Sequence, residues 1–416
     1  MLLDAKMAWR NIWRNPRRTL LTISAIAFAC ILLVFMLSFQ FGSYDTMINS
    51  SVKINTGHLQ IQAKGYNENR KMRLVVSDPE TVDGVLSETP EVEAFTSRSR
   101  SFALASSLKR TYGAMIVGVD PVREARVSTL KTIVRKGSYL SDGETTKGLT
   151  EALVGRLLAR NLGVGLGDEI TILGQGRDGS VAATVVRVHG IFNSGMDAFD
   201  RSTIQIPLAD FQEVFAMAKA VHEVVVLGHT LADVPVIKDR VGRALHENEK
   251  TRSLAVLDWD DLMPGLKQAI HMDLVSGAFF YLILIMVVAF SILNTFLMAI
   301  LERTHEFGVM MAVGTRPGRL TRLVLTESAG MTLVGVAVGI LLGCLLTAYF
   351  QVVGIDLSGS SEILSQYGIP SRLYPRLTLL SATAGPMVVL LITLAAALYP
   401  ALKIRRLKPV EAMNVS

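Results

Sequence analysis

The sequence predicts an α+β membrane protein: four transmembrane helices, with a large extracytoplasmic α/β domain between the first and the second. Three observations lead there. Apolar stretches at 20–41, 273–300, 323–353 and 377–399 each exceed the roughly 20 residues that a helix needs to cross a bilayer. Residues 42–272 read as ordinary soluble-type sequence. Half of the 416 residues are hydrophobic and mean hydropathy is +0.39, a balance that fits some spans plus one polar domain.

The first stretch has too long an apolar run for a signal-peptide core, and no clear small-residue cleavage site follows it, so it reads as a retained span. Basic residues set the orientation. Lys6, Arg10, Arg14, Arg17 and Arg18 precede span one; Arg303, Arg316, Arg319 and Arg322 lie between spans two and three; Lys403, Arg405, Arg406 and Lys408 follow span four. Segments 1–19, 301–322 and 400–416 are therefore expected in the cytoplasm, with 42–272 and the loop 354–376 outside. Each cluster abuts a span, which argues against a nucleic-acid partner. Cys30 and Cys344 both fall in apolar stretches, where they read as small apolar filler, so the large domain has no disulfide.

Within the large domain, His58–Lys64 alternates apolar and polar residues as a half-buried strand does. Asp78-Pro79 opens a short helix through Leu86, with Asp at the N-cap and Pro at N1, and a strand follows near Glu93–Ala105. The order recurs: a strand at His222–Leu227, a helix capped by Asp233 with Val236, Ile237, Val241 and Leu245 on one face, and a strand at Ser253–Leu257. Two β-α-β units around a central block predict a split ferredoxin-like layer with an inserted lobe at about 108–215. The lobe is expected to hold strands at Met115–Val119, Ile170–Leu173, Val181–Val188 and Thr203–Ile206, and a helix at about Glu151–Leu162.

Catalytic chemistry finds little support. In Gly163-Val-Gly-Leu-Gly-Asp168 the third dinucleotide-type glycine is replaced by Asp168 and the run ends a helix, so Gly163 reads as a cap and Gly167-Asp168 as a turn. The seven histidines are scattered without zinc spacing, and no G-x-S-x-G, H-E-x-x-H or Walker A sequence is present. Asp258, Asp260 and Asp261 around Trp259 read as a helix start leading into span two. No catalytic, cofactor-binding or metal-binding residues are assigned.

The most specific stretch is Leu301-Glu-Arg-Thr-His-Glu-Phe-Gly-Val-Met-Met-Ala-Val-Gly314. It reads as a continuation of span two into a short amphipathic helix ended by Gly314, with Phe307, Met310, Met311 and Val313 facing water. Such a helix suits either a groove on another protein or the lipid interface. It resembles the E-R-x-x-E-x-G-x-x-x-A-x-G element of the FtsX-like, MacB-type ABC transporter permeases, matched by Glu302, Arg303, Glu306, Gly308, Ala312 and Gly314. Ala8-Trp-Arg-Asn11, Asn15–Thr19, Tyr399-Pro-Ala401 and Leu407–Ala412 resemble the same family's ends, and Thr56–Tyr66 resembles its lipoprotein-releasing LolC/LolE subgroup. Val309, Met310 and Met311 stand where the family usually has an Arg.

The resemblance implies a permease in the inner membrane, paired with a second copy or a related permease and with two copies of a separate ABC ATPase. ATP and magnesium would be held by that ATPase, and this chain would not itself be an enzyme. Glu302, Arg303, Glu306, Phe307, Gly308, Ala312 and Gly314 would form the loop that meets the ATPase. The spans carry few charges at mid-depth and so suit levers better than a solute pathway. The expected cargo is a lipoprotein or other amphiphile, with or without a periplasmic adaptor. The alternative is a mechanotransmitting sensor or scaffold that regulates an extracytoplasmic partner. Asn294, deep in span two, is expected in helix packing or a bond across a dimer. Gly335, Gly339 and Gly343 clear one face of span three for close helix approach, within the subunit or at a dimer seam, and Pro386 is expected to kink span four.

Overall fold

The computed structural model of the chain describes residues 7, 10–141, 149–357 and 372–403. In chain order its main elements are α1 (Pro16–Ser51), a π-helical turn (Val52–Thr56), β1 (Leu59–Ala63), α2 (Pro79–Ser87), β2 (Val92–Ser106), β3 (Thr111–Val119), α3 (Pro121–Val127) and β4 (Val134–Gly137). There follow β5 (Thr150–Gly155), α4 (Arg156–Leu162), β6 (Glu169–Gln175), β7 (Val181–Phe192), β8 (Thr203–Pro207), β9 (Glu223–Gly228), α5 (Val234–Glu247) and β10 (Leu254–Asp258). The chain closes with α6 (Pro264–Glu302), α7 (Thr304–Ala312), α8 (Pro317–Val353) and α9 (Leu379–Lys403). Two compact units result: a helical one containing the described residues up to Tyr44, Ala269–Asp356 and those from Arg372 on, and a mixed one built from Asp45–Gln268.

In the helical unit, α1, α6, α8 and α9 are long and apolar enough to cross a membrane. The glycine row of α8 meets α1. A Cβ on Gly339 would lie 2.5 Å from Cβ of Cys30 and 2.8 Å from the Ala27 carbonyl oxygen; one on Gly335 would lie 2.9 Å from Cβ of Ile26. Two backbones approach this closely only where a side chain is missing. The row therefore packs within the subunit, and Cys30 is buried filler there. On α9, Gly385 takes Leu33 of α1 against its bare backbone, and the Ser38 hydroxyl donates to Ser381 Oγ at 2.9 Å. Pro386 lies inside α9, which runs on through it.

In the mixed unit, strands in the order β10-β1-β9-β2 form an antiparallel layer, with α2 connecting β1 to β2 and α5 connecting β9 to β10. This is the split ferredoxin-like arrangement expected. Leu59, Ile61, Val224 and Val226 from the sheet meet Val82, Leu86, Ile237 and Val241 from the helices. Asp78 caps α2 by accepting the Thr81 N–H at 3.3 Å. The α5 stripe is turned from the expected one: Val234 is buried and Val236 exposed. Asp233 forms its capping box with Thr230 one turn earlier, so its side chain does not cap α5 itself.

The inserted lobe is a closed ring. β2 pairs with β3, β3 with β8, β8 with β5, β5 with β7, β7 with β6, and β6 returns to β2. Ala103, Ile116, Val154, Ile172, Val186 and Ile204 fill it, with Phe211 and Phe215. The helix expected over Glu151–Leu162 is half strand. Ala152, Leu153 and Val154 form a fully buried run between β7 and β8, as a strand covered on both faces requires. A Cβ on Gly155 would sit 2.3 Å from the Asp200 carbonyl oxygen, and the helix begins only at Arg156. Gly163, at φ 71°, caps α4 as expected, and Gly167, at φ 82°, turns the chain toward β6.

Candidate functional site

The site is built where α6 stops. Arg303 leaves helical geometry after Glu302, and α7 restarts at Thr304. Gly314, at φ 100°, turns the chain so that Pro317 can open α8 as its first residue. Arg303 folds back into the protein. Its Nη1 donates to Glu327 Oε2 on α8 at 2.9 Å, its Nε to Glu306 Oε2 at 3.3 Å, and its guanidinium lies 5.4 Å from the centre of the Phe307 ring. Glu306 also accepts from Arg14, and Glu302 from Arg18 Nη1 at 3.1 Å. The hydrogen bond from Arg14, with a smaller contribution from Arg303, holds the Glu306 carboxyl below its ordinary range. Three acids and three arginines thus clasp the α6–α7 junction to the start of α1 and to α8.

Phe307 was expected to face water. It is instead fully buried, against Ile300, Leu320, Val324 and Ala401, because the short helix lies back on α8 and α9. Gly308 is buried beside it, and Met310 and Met311 are half-buried. The exposed tip is Val309, Ala312, Val313 (84% exposed) and Gly314. Beside α7 opens a groove of about 820 Å³, lined by Arg10, Arg14, His305, Glu306, Val309 and Met310 among others.

Glu302, Arg303, Glu306, Phe307 and Gly308 come together as one cluster, while Ala312 and Gly314 form its tip. Asn294 is exposed on α6, where it lines an open groove with Asn15, Arg17, Arg18 and Glu302. Arg14, Arg18 and Glu327 were missed as site residues. The sequence signal of the two arginines is membrane orientation. Glu327 carried a usable signal, since an acid at the head of an apolar span needs a partner. Residues 8, 9 and 404–416, which hold parts of the resembling end motifs, lie outside the described residues. Among the described residues, no group of three His, Cys, Asp or Glu side chains is placed to hold a metal ion.

Residues 278–409 match the FtsX-like permease C-terminal model, and residues 19–244, more than half of the chain, match the MacB-like periplasmic core domain. The chain belongs to the FtsX-like permease family, as an ABC transporter permease of the MacB/LolC type. Glu302, Arg303, Glu306 and Glu327 of the clasp lie within the FtsX-like part of this permease, while Arg14 and Arg18 precede both matched regions. A relative from Xylella fastidiosa, the lipoprotein-releasing system transmembrane protein LolC, is 22% identical over 94% of this chain and 92% of its own length. The pyoverdine export ATP-binding/permease protein PvdT of Pseudomonas syringae pv. tomato is 24% identical over 99% of this chain, which spans 60% of that protein. The periplasmic region of MacB from Actinobacillus actinomycetemcomitans aligns with 54% of the permease and 97% of that structure, at 16% identity and a TM-score of 0.38.

Proposed function

We propose that this permease transmits force across the inner membrane for a separate ABC ATPase, bound as two copies to a pair of permease chains. In this reading both termini and α7 face the cytoplasm, and the large domain is periplasmic. ATP and magnesium belong to the ATPase. The cargo is a lipoprotein or another amphiphile, extracted or released at the outer face.

One observation carries the reading. Arg303, Glu302 and Glu306 tie the α6–α7 junction by side-chain bonds to both α1 and α8. A load on the exposed tip of α7 is then shared by three spans and cannot bend one loop alone. The apolar character of the spans supports motion of whole helices over passage of a polar solute. Amphiphilic cargo is supported by the likeness to a lipoprotein-releasing protein over nearly the full length of both chains.

The test replaces Val313 by Glu at the exposed tip, and separately combines Glu306→Lys with Gly314→Pro. Both are expected to lower ATPase binding and permease-stimulated ATP hydrolysis at least about tenfold, the equivalent of roughly 1.4 kcal/mol. Normal binding and hydrolysis in the well-folded Val313→Glu protein would remove α7 from the docking surface. Release of a bound lipoprotein from vesicles on ATP addition checks the cargo. ATP-dependent change in a periplasmic partner without cargo movement would instead mark a regulatory scaffold.

A further inference from the structure

We infer that the groove between the start of α1 and the last turns of α6 binds one anionic phospholipid, whose phosphodiester is held by Arg17 and Arg18. The inference needs only that α1 and α6 cross a bilayer, and it is independent of how α7 meets an ATPase. The groove is open and encloses about 650 Å³. Its rim carries Asn15, Arg17, Arg18 and Glu302; Leu21 and Met298 form its walls, and Asn294 lies at its deep end.

The height of the groove follows from its two helices. On α1 the charges stop at Arg18 and the apolar run starts at Leu20; on α6 the run ends at Glu302. The rim therefore lies at the level of lipid headgroups, a layer roughly 5–7 Å thick on each side of the hydrocarbon core. Leu21 is four residues in from Arg17, and Met298 four residues in from Glu302. At 1.5 Å per residue both stand about 6 Å deeper than the rim, where acyl chains begin. Each is more than half exposed, so the walls are apolar where a lipid is apolar. Asn294, eight residues before Glu302, closes the groove about 12 Å in.

The polar groups complement one headgroup class. Among the described residues, no hydrogen bond or ion pair engages the Arg17 side chain or the Asn294 amide. Arg18 gives one of its five N–H donors, on Nη1, to Glu302 Oε2 at 3.1 Å. The guanidinium fork matches the oxygens of a phosphodiester, and the Asn294 carboxamide can donate to an ester carbonyl below it. Charge decides between lipids. Two arginines against one glutamate leave one positive charge on the rim, and that glutamate is already paired. A lipid of charge −1 balances the site, whereas a zwitterionic lipid brings an ammonium that finds no free acid. Basic pockets between spans are the usual receptors for anionic headgroups. Such a lipid bridges α1 and α6 beside the Arg18–Glu302 pair, at the height where the clasp joins the two helices.

The experiment uses the full chain in detergent, without ATPase, mixed with equal amounts of phosphatidylglycerol and phosphatidylcholine. Native mass spectrometry counts the lipid retained. One phosphatidylglycerol per chain should be held in preference, by at least about fivefold. Arg17→Gln should lower its retention about three- to tenfold, the effect of one basic group beside an anionic lipid. Arg316→Gln removes the same charge at the head of α8, outside the groove, and should leave retention unchanged. Both side chains are exposed, so both variants keep the fold. Equal losses in the two variants would reduce the effect to general charge attraction and overturn the site. So would equal retention of the two lipids. Displacement by equimolar glycerophosphoglycerol, the headgroup without its chains, would overturn it as well, by marking a soluble phosphate ester as the ligand.

Discussion

Arg98 in the large domain and Arg303 in the helical unit are both buried opposite a buried glutamate, yet they are held differently. Arg98 donates twice to Glu124, from Nε at 2.8 Å and Nη2 at 2.7 Å, and again to the Asn55 carbonyl in the π-helical turn. Neither side chain of that pair is more than 2% exposed. It locks β2, α3 and the turn after α1 into one arrangement, with no solvent-facing partner to exchange with. Arg303 makes one bond to each of two acids. One of these, Glu306, is 43% exposed and shared with Arg14. Enclosed two-pronged pairs fix geometry; single bonds that share an acid with a surface arginine can be re-dealt when a partner docks.

The largest expected effect breaks the enclosed pair. Arg98→Met strands Glu124 without solvent and should cost about 3–5 kcal/mol in unfolding of the full chain, much of it regained in Arg98→Met with Glu124→Leu. Arg303→Met should cost less, about 1.5–3 kcal/mol. Glu306 keeps Arg14, and a void of about 20 Å³ lined by Glu327 and Arg18 admits a water. Equal losses would erase the distinction.

Acid should separate the two regions next. Burial pushes His58 down to about 4, with Lys53 adding to it, and burial likewise pushes His222 down to about 4. Their rings are committed as neutral acceptors: Nδ1 of His58 takes the Gly228 N–H at 3.1 Å, and Nδ1 of His222 takes the Arg100 N–H at 3.0 Å. The unfolded chain binds protons on these histidines from about pH 6.5 downward, while the folded domain does not until about 4. Stability is therefore complete above about pH 6.5 and falls as pH drops toward 4, by about 1 kcal/mol per unit for each histidine. The clasp is insensitive to pH in that window. Glu306, held low mainly by the hydrogen bond from Arg14, stays charged throughout it and loses its contribution only as pH falls below the ordinary carboxylate range. Unfolding followed between pH 7 and 5 should weaken the large domain and spare the helical unit.

The smallest effect is Arg14→Ala. Its pair with Glu306 is half exposed, so the change should stay within about 1 kcal/mol and vanish at high salt. A larger, salt-insensitive loss would make this pair as structural as that of Arg98.

The strands of the layer, the α2 cap, the glycine turns and the four spans were legible because each is a local pattern. The closure of the lobe was not, because the β6–β2 pairing that completes the ring joins segments far apart in sequence. The burial of Phe307 was equally hidden, since amphipathic spacing in a short helix does not say which face another helix will cover. The partners Arg14 and Arg18 sit nearly 300 residues from the acids they hold. Their sequence signal, a basic cluster before a span, points to membrane orientation and says nothing of a contact. Apolar Ala152–Val154 reads alike in a buried helix and a buried strand, and only the neighbours on either side decided it.

One consequence follows from the fifteen-residue β2, whose first half pairs with β9 in the layer and whose second half helps close the lobe. The two substructures are cut from one strand and share its amides. A chimera that exchanges lobes between relatives would have to splice within β2 itself, near Ser99, and match the side-chain alternation across the junction. Modular swapping, convenient where domains meet at loops, is closed to this architecture except at that register.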